Sequence, residues 1–287
     1  MAEQALVLGG GGVAGIAWEL GFLLGVQDNS PDLARALLGS DLIVGTSAGS
    51  TVAAQITSGL SLDELFERQL STTTDEMNPE IDVEELGATF VRALQNPDLT
   101  MIDRVRAIGS LAIDARTVDA SVRRAVIAAR LPAHEWPERQ LKITALDAES
   151  GELTVFDRSG SVGLVDAVAA SCAVPGVWPV VSVDGRRFMD GGVASSTNIQ
   201  VARAHRHVVV LAPTADPGNF LLGGTVADEA AAATDSSVYT VFADDASVSA
   251  YGPNPLDPAS RAPSAQAGRV QGAREAAALG AFLHEAL

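Results

Sequence analysis

Short apolar runs that end in glycine alternate with helical patterns in the first part of the chain. Ala5 to Leu8 is an apolar run that leads into Gly9 to Gly12, and the segment VAGIAWELGFLLGV that follows spaces its apolar residues as a helix does. Asp41 to Gly45 predicts a second short strand, and Ser47 to Ser58 predicts a buried helix. Strands that alternate with helices predict a mostly parallel sheet with helices on both faces.

The pattern changes twice further along the chain. The stretch from Ser71 to Pro97 begins polar and acidic, and helical patterns then continue through Arg130, so we expect a surface segment or helical cap over residues 71–135. LKITALDA and ELTVFDR, separated by Glu149-Ser150-Gly151, predict a β-hairpin. The remaining predicted elements are a helix over Leu164–Cys172, strands in RRFMDGG and HVVVLAP, a proline-rich loop through Gly268, and a helix from about Arg269 onward. We expect one domain over residues 1–287, with a motif core at about 5–212 and a C-terminal loop and helix within 213–287.

Composition and charge exclude several kinds of protein. A net charge of −17 and a pI near 4.5 argue against nucleic-acid binding and against attraction to strongly anionic membranes. The single cysteine, Cys172, excludes an internal disulfide and a cysteine-based zinc site. The start MAEQALVLGGGG lacks a basic region, and the chain has no apolar run of about 18 residues. We expect a cytoplasmic protein whose contact with a membrane or micelle is at most peripheral and transient; its oligomeric state stays open.

The first glycine-rich junction is compatible with two kinds of chemistry. Residues 10–15 fit the pattern G-x-G-x-x-G between a strand and a helix, which is typical of dinucleotide binding. That function also requires an acid at the end of the second strand, whereas Asp41 stands at its start. Alternatively, the backbone N–H groups of Gly10, Gly11 and Gly12 can face a developing oxyanion, which needs preorganised donors.

The second junction, GTSAG, places Ser47 between Gly45 and Gly49 where a strand turns into a helix. A serine at a helix start often serves only as an N-cap. In a nucleophile elbow, however, the serine sits on a strained turn, and small neighbours let the strand and the helix approach each other. Together with the upstream glycine loop, the pattern favours a nucleophilic Ser47.

A nucleophilic serine needs a base, and histidine is the usual one. His134 and His284 lie in segments that predict surface positions, and His205 and His207 flank the start of a predicted strand, away from the carboxyl ends where sites form in parallel sheets. Asp190, in the sequence FMDGG, stands where a strand runs into Gly191 and Gly192. Burial would raise the pKa of Asp190 and would let it act directly on a serine as a general base.

The three glycine motifs together resemble those of the patatin-like phospholipases. GGGGVAG resembles that family's oxyanion loop, GTSAG resembles its G-x-S-x-G nucleophile motif, and Asp190-Gly191-Gly192 resembles its D-G-G or D-G-A motif, with AASCAVPGVWPVVSVDGRRFMDGGV resembling the approach to the acid. The resemblance covers roughly residues 5–212. It implies an α/β/α sandwich, a Ser47–Asp190 dyad, donors to the oxyanion from Gly10, Gly11 and Gly12, and hydrolysis of acyl esters without a metal or a cofactor.

One departure from the family pattern bears on the substrate. The family usually has Arg or Lys just before the last glycine of the oxyanion loop, and this chain has Ala14 there. The missing charge and the acidic composition favour a neutral lipid or a small ester over an anionic phospholipid. The apolar stretch NFLLGGTV, residues 219–226, and the helix that begins at Ile16 are candidates to meet a lipid, although core packing of a short helix is the more frequent explanation of the first.

Two other functions remain open on the sequence. A nucleotide-binding oxidoreductase would use the same glycine loop, and a non-catalytic lipid-binding protein would keep the fold without turnover. Stabilisation by a dinucleotide would favour the first, and vesicle binding that Ser47→Ala leaves unchanged would favour the second.

Overall fold

The computed structural model describes residues 3–79, 87–91, 94, 98–218 and 220–284. Within these ranges, eight strands form one sheet. They are β1 (Gln4–Leu8), β2 (Leu42–Thr46), β3 (Leu141–Asp147), β4 (Leu153–Phe156), β5 (Val181–Val183), β6 (Arg186–Asp190), β7 (His207–Ala212) and β8 (Ser237–Phe242).

The strand order is β5-β6-β3-β2-β1-β7-β8, with β4 paired to β3. The pairs within β3-β2-β1-β7-β8 are parallel, whereas β3-β4, β3-β6 and β5-β6 are antiparallel. The predicted α/β fold with a mostly parallel sheet is therefore confirmed, with an antiparallel edge on the side of β6. The predicted hairpin of β3 and β4 is also present.

Helices cover both faces of this sheet. They are α1 (Gly12–Asn29), α2 (Pro31–Leu38), α3 (Ala48–Ile56), α4 (Leu62–Leu70), α5 (Met101–Asp114), α6 (Ala120–Arg130), α7 (Leu164–Ser171), α8 (Val226–Ala232), α9 (Asp245–Tyr251) and α10 (Arg261–His284). In β1, Leu6 and Leu8 belong to the core on one face, and Ala5 and Val7 belong to the core on the other. All four side chains are fully buried, which explains why this strand reads as a continuous apolar run.

Helices α1 and α10 pack unusually close together through glycines. A Cβ on Gly21 or Gly25 of α1 would lie about 2 Å from a carbonyl of α10, and one on Gly268 or Gly272 of α10 would meet α1 in the same way. Only glycine permits this approach. This packing buries α1 from Val13 to Val26, and Ile16 is 4% exposed, so the helix that begins there offers little surface to a lipid.

The prediction for the last helix is wrong at its start. The helix begins at Arg261 and not near Arg269, so the second half of the expected loop is helical. Pro263 made the sequence pattern indicate a loop. It lies in the first turn of α10, where a backbone N–H has no partner within the helix, so its missing N–H costs no hydrogen bond.

The segment over residues 71–135 is only partly helical in the described ranges. Residues 71–79 contain no helix, whereas α5 and α6 follow at Met101 and Ala120. Part of the helical pattern expected before Pro97 lies outside the described residues. Ile108 of α5 and Phe90 pack in one cluster with Met189 of β6, which brings this segment onto the carboxyl-end side of the sheet. Across the described ranges, none of the helices is long and apolar enough to span a membrane.

Candidate active site

Ser47 occupies a strained turn between β2 and α3. Its φ is 52° and its ψ is −114°, a backbone conformation that residues with side chains rarely adopt. A Cβ on Gly45 would lie 2.5 Å from the Cα of Ser50, and a Cβ on Gly49 would lie 2.1 Å from the carbonyl oxygen of Leu8. Glycine at these two positions therefore lets α3 begin directly against β1 and β2, as in a nucleophile elbow.

The side chain of Ser47 contacts Asp190 directly. The Ser47 Oγ donates a hydrogen bond of 2.6 Å to Oδ2 of Asp190, and both side chains are buried. The backbone around Ser47 is held as well, because its N–H donates to the Oγ of Ser171 at 2.8 Å. The Sγ of Cys172 donates to the carbonyl of Ser47 at 3.2 Å.

Asp190 ends β6 at the antiparallel edge of the sheet. Its Oδ1 accepts the N–H of Gly192 at 2.7 Å, so each carboxylate oxygen has one donor. A Cβ on Gly191 would lie 2.8 Å from Thr144, which explains a glycine directly after the acid. Burial raises the pKa of Asp190 to about 6, against the opposing hydrogen bonds from Ser47 and Gly192 and the positive charge of Arg123.

A buried polar network lies beside the Ser47–Asp190 pair. The hydroxyls of Thr46 and Thr144 are 2.7 Å apart, and the Nδ2 of Asn198 donates to both oxygens and to the carbonyl of Ser195. Thr46 precedes Ser47, and Thr144 packs against Gly191, so the network lies between the end of β2 and the part of β3 that borders Asp190. The sequence analysis did not identify these three residues, because the pairing between β2 and β3 is not visible locally.

The glycine loop offers fewer free donors than expected. The N–H of Gly10 donates to the carbonyl of Ser196 at 2.7 Å, so it is not available to a substrate in this structure. Among the described residues, the N–H groups of Gly11 and Gly12 have no hydrogen-bond partner. Gly12 has a φ of 65°, and a Cβ there would meet the carbonyl of Pro255 at 2.8 Å.

Glu19 of α1 lies beneath the glycine loop and was not singled out from the sequence. Its Oε1 accepts the N–H of Gly9 at 2.9 Å, while its Oε2 has no partner in the described structure. Complete burial raises the pKa of Glu19 well above its ordinary value, although the bond from Gly9 opposes the shift. Burial therefore favours the neutral form of Glu19, whose Oε1 supports the start of the loop.

His205 and His207, the alternative bases, and Asp41 lie at the amino-terminal ends of the parallel strands, opposite Ser47. His207 is the first residue of β7 and pairs with Gln4, whereas Ser47 follows the last residue of β2. The ring Nδ1 of His205 bonds the carbonyl of Ala202, and His134 is exposed. Asp41 accepts the N–H groups of Glu3 and Gln4 before the start of β2, whereas the glycine loop follows the end of β1.

Two cavities meet at Ser47. The larger, of about 260 Å³, is mainly apolar and also touches Gly10, Gly11 and Asp190. Its apolar lining comes from Phe90, Val174, Pro175, Val193 and Leu221. Leu221 belongs to the stretch that the sequence marked as a possible lipid contact; Asn219 of that stretch lies outside the described residues. The smaller is a crevice of about 20 Å³ that Gly12, Arg123 and Trp178 also line.

Searched over the described ranges, the chain has no group of three or more His, Cys, Asp or Glu side chains that could hold a metal ion.

Solved structures with a similar overall course of the chain come from bacterial proteins. VipD from Legionella pneumophila has 13% sequence identity and a TM-score of 0.48, with 97% of this chain and 67% of VipD covered. The type III effector protein ExoU has 15% identity and a TM-score of 0.41, with 97% and 53% covered. The structure of SpcU in complex with ExoU from Pseudomonas aeruginosa has 16% sequence identity and a TM-score of 0.41, with 100% of this chain and 53% of that chain covered. The chain thus spans about half the length of ExoU.

A family model described as patatin-like phospholipase matches residues 6–203. The match covers more than half of the chain and includes the glycine loop, the strained turn at Ser47 and the acid at Asp190. The resemblance that the sequence motifs indicate is thereby confirmed, and the chain belongs to the family of patatin-like phospholipases.

Proposed function

We propose that the protein hydrolyses carboxylic esters of lipids with a Ser47–Asp190 dyad and an acyl-enzyme intermediate. Membership of the family implies hydrolysis of lipid acyl esters. The observation that carries the dyad is the 2.6 Å hydrogen bond from the Ser47 Oγ to the buried carboxylate of Asp190.

Asp190 accepts the proton of Ser47 as the Oγ attacks the ester carbonyl. A carboxylate with an ordinary pKa near 3.9 is a weak base, and burial brings Asp190 to about 6, closer to the pH at which it would work. The tetrahedral intermediate collapses to an acyl-enzyme, and the alcohol leaves with the proton that Asp190 took up. Water then attacks the acyl group, gives one proton to Asp190, and releases the acid as that proton returns to Ser47.

The negative charge on the tetrahedral intermediate requires hydrogen-bond donors. The unpartnered N–H groups of Gly11 and Gly12 are the donors of the loop that fit this role, and Gly10 would join them only by giving up Ser196. The loop has the support it needs for a fixed geometry, because Gly9 donates both to the carbonyl of Leu211 and to Glu19.

The apolar cavity beside Ser47 is the proposed site for the acyl chain. It touches Ser47 and Asp190 at one end and is lined by Phe90, Val193 and Leu221, which would remove a hydrocarbon chain from water. Leu221 is 44% exposed, so the cavity has an apolar residue where it meets solvent. A lipid could enter there from a membrane or micelle surface during a transient encounter.

Labelling with a fluorophosphonate ester tests the proposal, because this reagent needs an activated serine and an oxyanion site. We expect one adduct, which peptide mass mapping locates on Ser47, and no adduct in Ser47→Ala. Asp190→Asn, tested for native folding by circular dichroism, should lose labelling as well. Well-folded wild-type protein that takes no label would favour a non-catalytic lipid-binding protein, and labelling that survives Asp190→Asn would exclude Asp190 as the base.

A further inference from the structure

Arg123 is a buried cation whose hydrogen-bond donors are unused. The side chain lies on α6 and is 6% exposed. Its Nε and Nη1 have no hydrogen-bond partner in the part of the chain that the structure describes. Its guanidinium stacks on Trp178, with Cζ 3.8 Å from the ring centroid, so the plane of the side chain is fixed while Nε and Nη1 are buried and unpaired.

The neighbouring arginines show how unusual this is. Arg130, two turns further along the same face of α6, is also buried but makes a bidentate ion pair with Glu76 at 2.6 and 2.7 Å. Arg124 is exposed and pairs in the same bidentate way with Asp166. A buried charge without a hydrogen-bonded partner costs free energy, because nothing replaces the water that it loses on folding.

Arg123 nevertheless keeps its charge at neutral pH. Burial and the nearby Arg130 lower its pKa to about 9, while Cys172, Glu76 and Asp190 act in the opposite direction. Only Glu76 and Asp190 are carboxylates, and both are already bonded, to Arg130 and to Ser47. Neither carboxylate is therefore hydrogen-bonded to the Arg123 guanidinium.

Arg123 also lines the crevice that reaches Ser47. The crevice is also lined by Gly12, Ala48 and Trp178, and its volume of about 20 Å³ has room for roughly one oxygen atom. Ser47 thus lines both an apolar cavity and a crevice with an unpaired cation. An ester held at Ser47 can place its acyl chain in the first and a charged oxygen of its alcohol part at the second.

We propose that Arg123 is a specificity-determining residue that binds an anionic oxygen close to the scissile ester, as the phosphodiester of a glycerophospholipid presents it. This inference rests on the proposed function, since it assigns the leaving-group side of the same serine. It replaces the sequence-based preference for a neutral ester: Ala14 lacks a charge, but α6 supplies one from elsewhere in the chain. A guanidinium with unpaired N–H donors suits phosphate oxygens.

The test compares two substrates that share their acyl chains. Dihexanoylphosphatidylcholine and dihexanoylglycerol, both used as monomers below their critical micelle concentrations, differ only in the phosphocholine group. In Arg123→Gln, we expect the ratio of kcat/KM for the phospholipid to kcat/KM for the diacylglycerol to fall about tenfold or more, and Arg123→Lys to recover part of it. Arg124→Gln, which removes the adjacent exposed arginine, is the matched control and should keep the wild-type ratio.

An unchanged ratio in Arg123→Gln would overturn the proposal. This also holds when both rates fall together, because Arg123 would then act on the oxyanion or on folding. Since the variant removes an unpaired buried charge, we expect it to unfold at a temperature no lower than the wild type; Arg123→Met repeats the test with an apolar side chain of similar length.

If the wild type cleaves neither substrate and takes no fluorophosphonate, the proposed function is refuted. Binding of an anionic oxygen by Arg123 is then measured without turnover. Glycerophosphocholine should raise the melting temperature of the wild type and not that of Arg123→Gln, with glycerol as the uncharged control. Equal shifts in the two proteins would overturn the role of Arg123.

Discussion

Ser47 and Asp190 share a direct hydrogen bond of 2.6 Å although they are 143 residues apart along the chain. No imidazole ring can lie between two groups at this distance. The contact depends on β2 and β6 both neighbouring β3 in the sheet, which brings the ends of the two strands together. The proposed base, Asp190, is thus positioned by sheet pairing, and the strained turn at Ser47 places the hydroxyl beside it.

Asp190→Asn should abolish activity and at the same time stabilise the protein. The asparagine Oδ1 can still accept from Gly192, and its Nδ2 can donate to the Ser47 Oγ, but it takes up no proton. Burial raises the pKa of Asp190 to about 6 from an unfolded value near 3.9, so above pH 6 its charge destabilises the folded state by about 1–3 kcal/mol. Urea denaturation at pH 8 should show this gain in the variant.

The gain should disappear in acid. Between pH 6 and pH 4 the folded protein holds the Asp190 proton that the unfolded chain loses, so the wild type gains stability as the pH falls and approaches the variant. If the variant is less stable than the wild type at pH 8, the prediction is wrong. The hydrogen bonds that the carboxylate accepts would then stabilise the folded state by more than the burial of its charge destabilises it. Ser47→Ala serves as the second inactive variant with Asp190 intact.

The rate should depend on the ionisation of Asp190. With a pKa of about 6, the carboxylate is the active form, so kcat/KM on a neutral ester should rise with pH through about pH 6 and level off above it. Initial rates on a p-nitrophenyl ester, read at the isosbestic wavelength, measure this profile. A rate that keeps rising well above pH 7 would point to another base.

Gly49 should tolerate no side chain. A Cβ there would lie 2.1 Å from the carbonyl oxygen of Leu8, so Gly49→Ala must push α3 away from β1 and should cost at least about 3 kcal/mol of unfolding free energy. It should also lose fluorophosphonate labelling, because α3 positions Ser47. Gly160→Ala is the control: a Cβ there meets nothing closer than 3.6 Å, and we expect wild-type stability and labelling.

Sequence patterns identify the residues of this site when their signal is local. Ser47 and Asp190 each stand where an apolar strand runs into glycine, and that pattern requires no knowledge of distant contacts. The use of the Gly10 N–H by Ser196 could not be predicted, because it depends on where a remote loop settles. The same holds for the contact between Thr46 and Thr144, which follows from strand pairing.

Two other residues carried a signal that the sequence analysis did not use. Arg123 lies on the same helical face as Val126, Ile127 and Arg130, all of which are buried, so its spacing marks a charge on an apolar stripe. Glu19 is the one acid in the otherwise apolar run of α1 between Val13 and Val26. A charge within such a pattern indicates a partner or a shifted pKa.

Glu19→Gln should stabilise the protein in a pH-dependent way. Burial raises the pKa of Glu19, so the folded state keeps a proton that the unfolded chain releases above about pH 4.3, and this acid lowers stability increasingly as the pH rises above that value. Glutamine keeps the acceptor for Gly9 and cannot ionise. Thermal unfolding should therefore show a larger gain for the variant at pH 8 than at pH 5; Glu19→Ala, which removes the acceptor, should be destabilised at both.

Leu221 provides a test of the acyl cavity that spares the fold. Its side chain lines the cavity and is 44% exposed, so Leu221→Asp should leave the protein folded while placing a charge beside any chain bound there. We expect kcat/KM for a decanoyl ester to fall about tenfold relative to that for an acetyl ester. That ratio corresponds to about 1.4 kcal/mol, somewhat less than full burial of a leucine side chain contributes. Val270→Asp, which adds the same charge at an exposed position of α10, should not change the ratio. The acetyl group is too short to contact Leu221. An equal loss on both esters would therefore show that the decanoyl chain does not contact this residue and lies elsewhere.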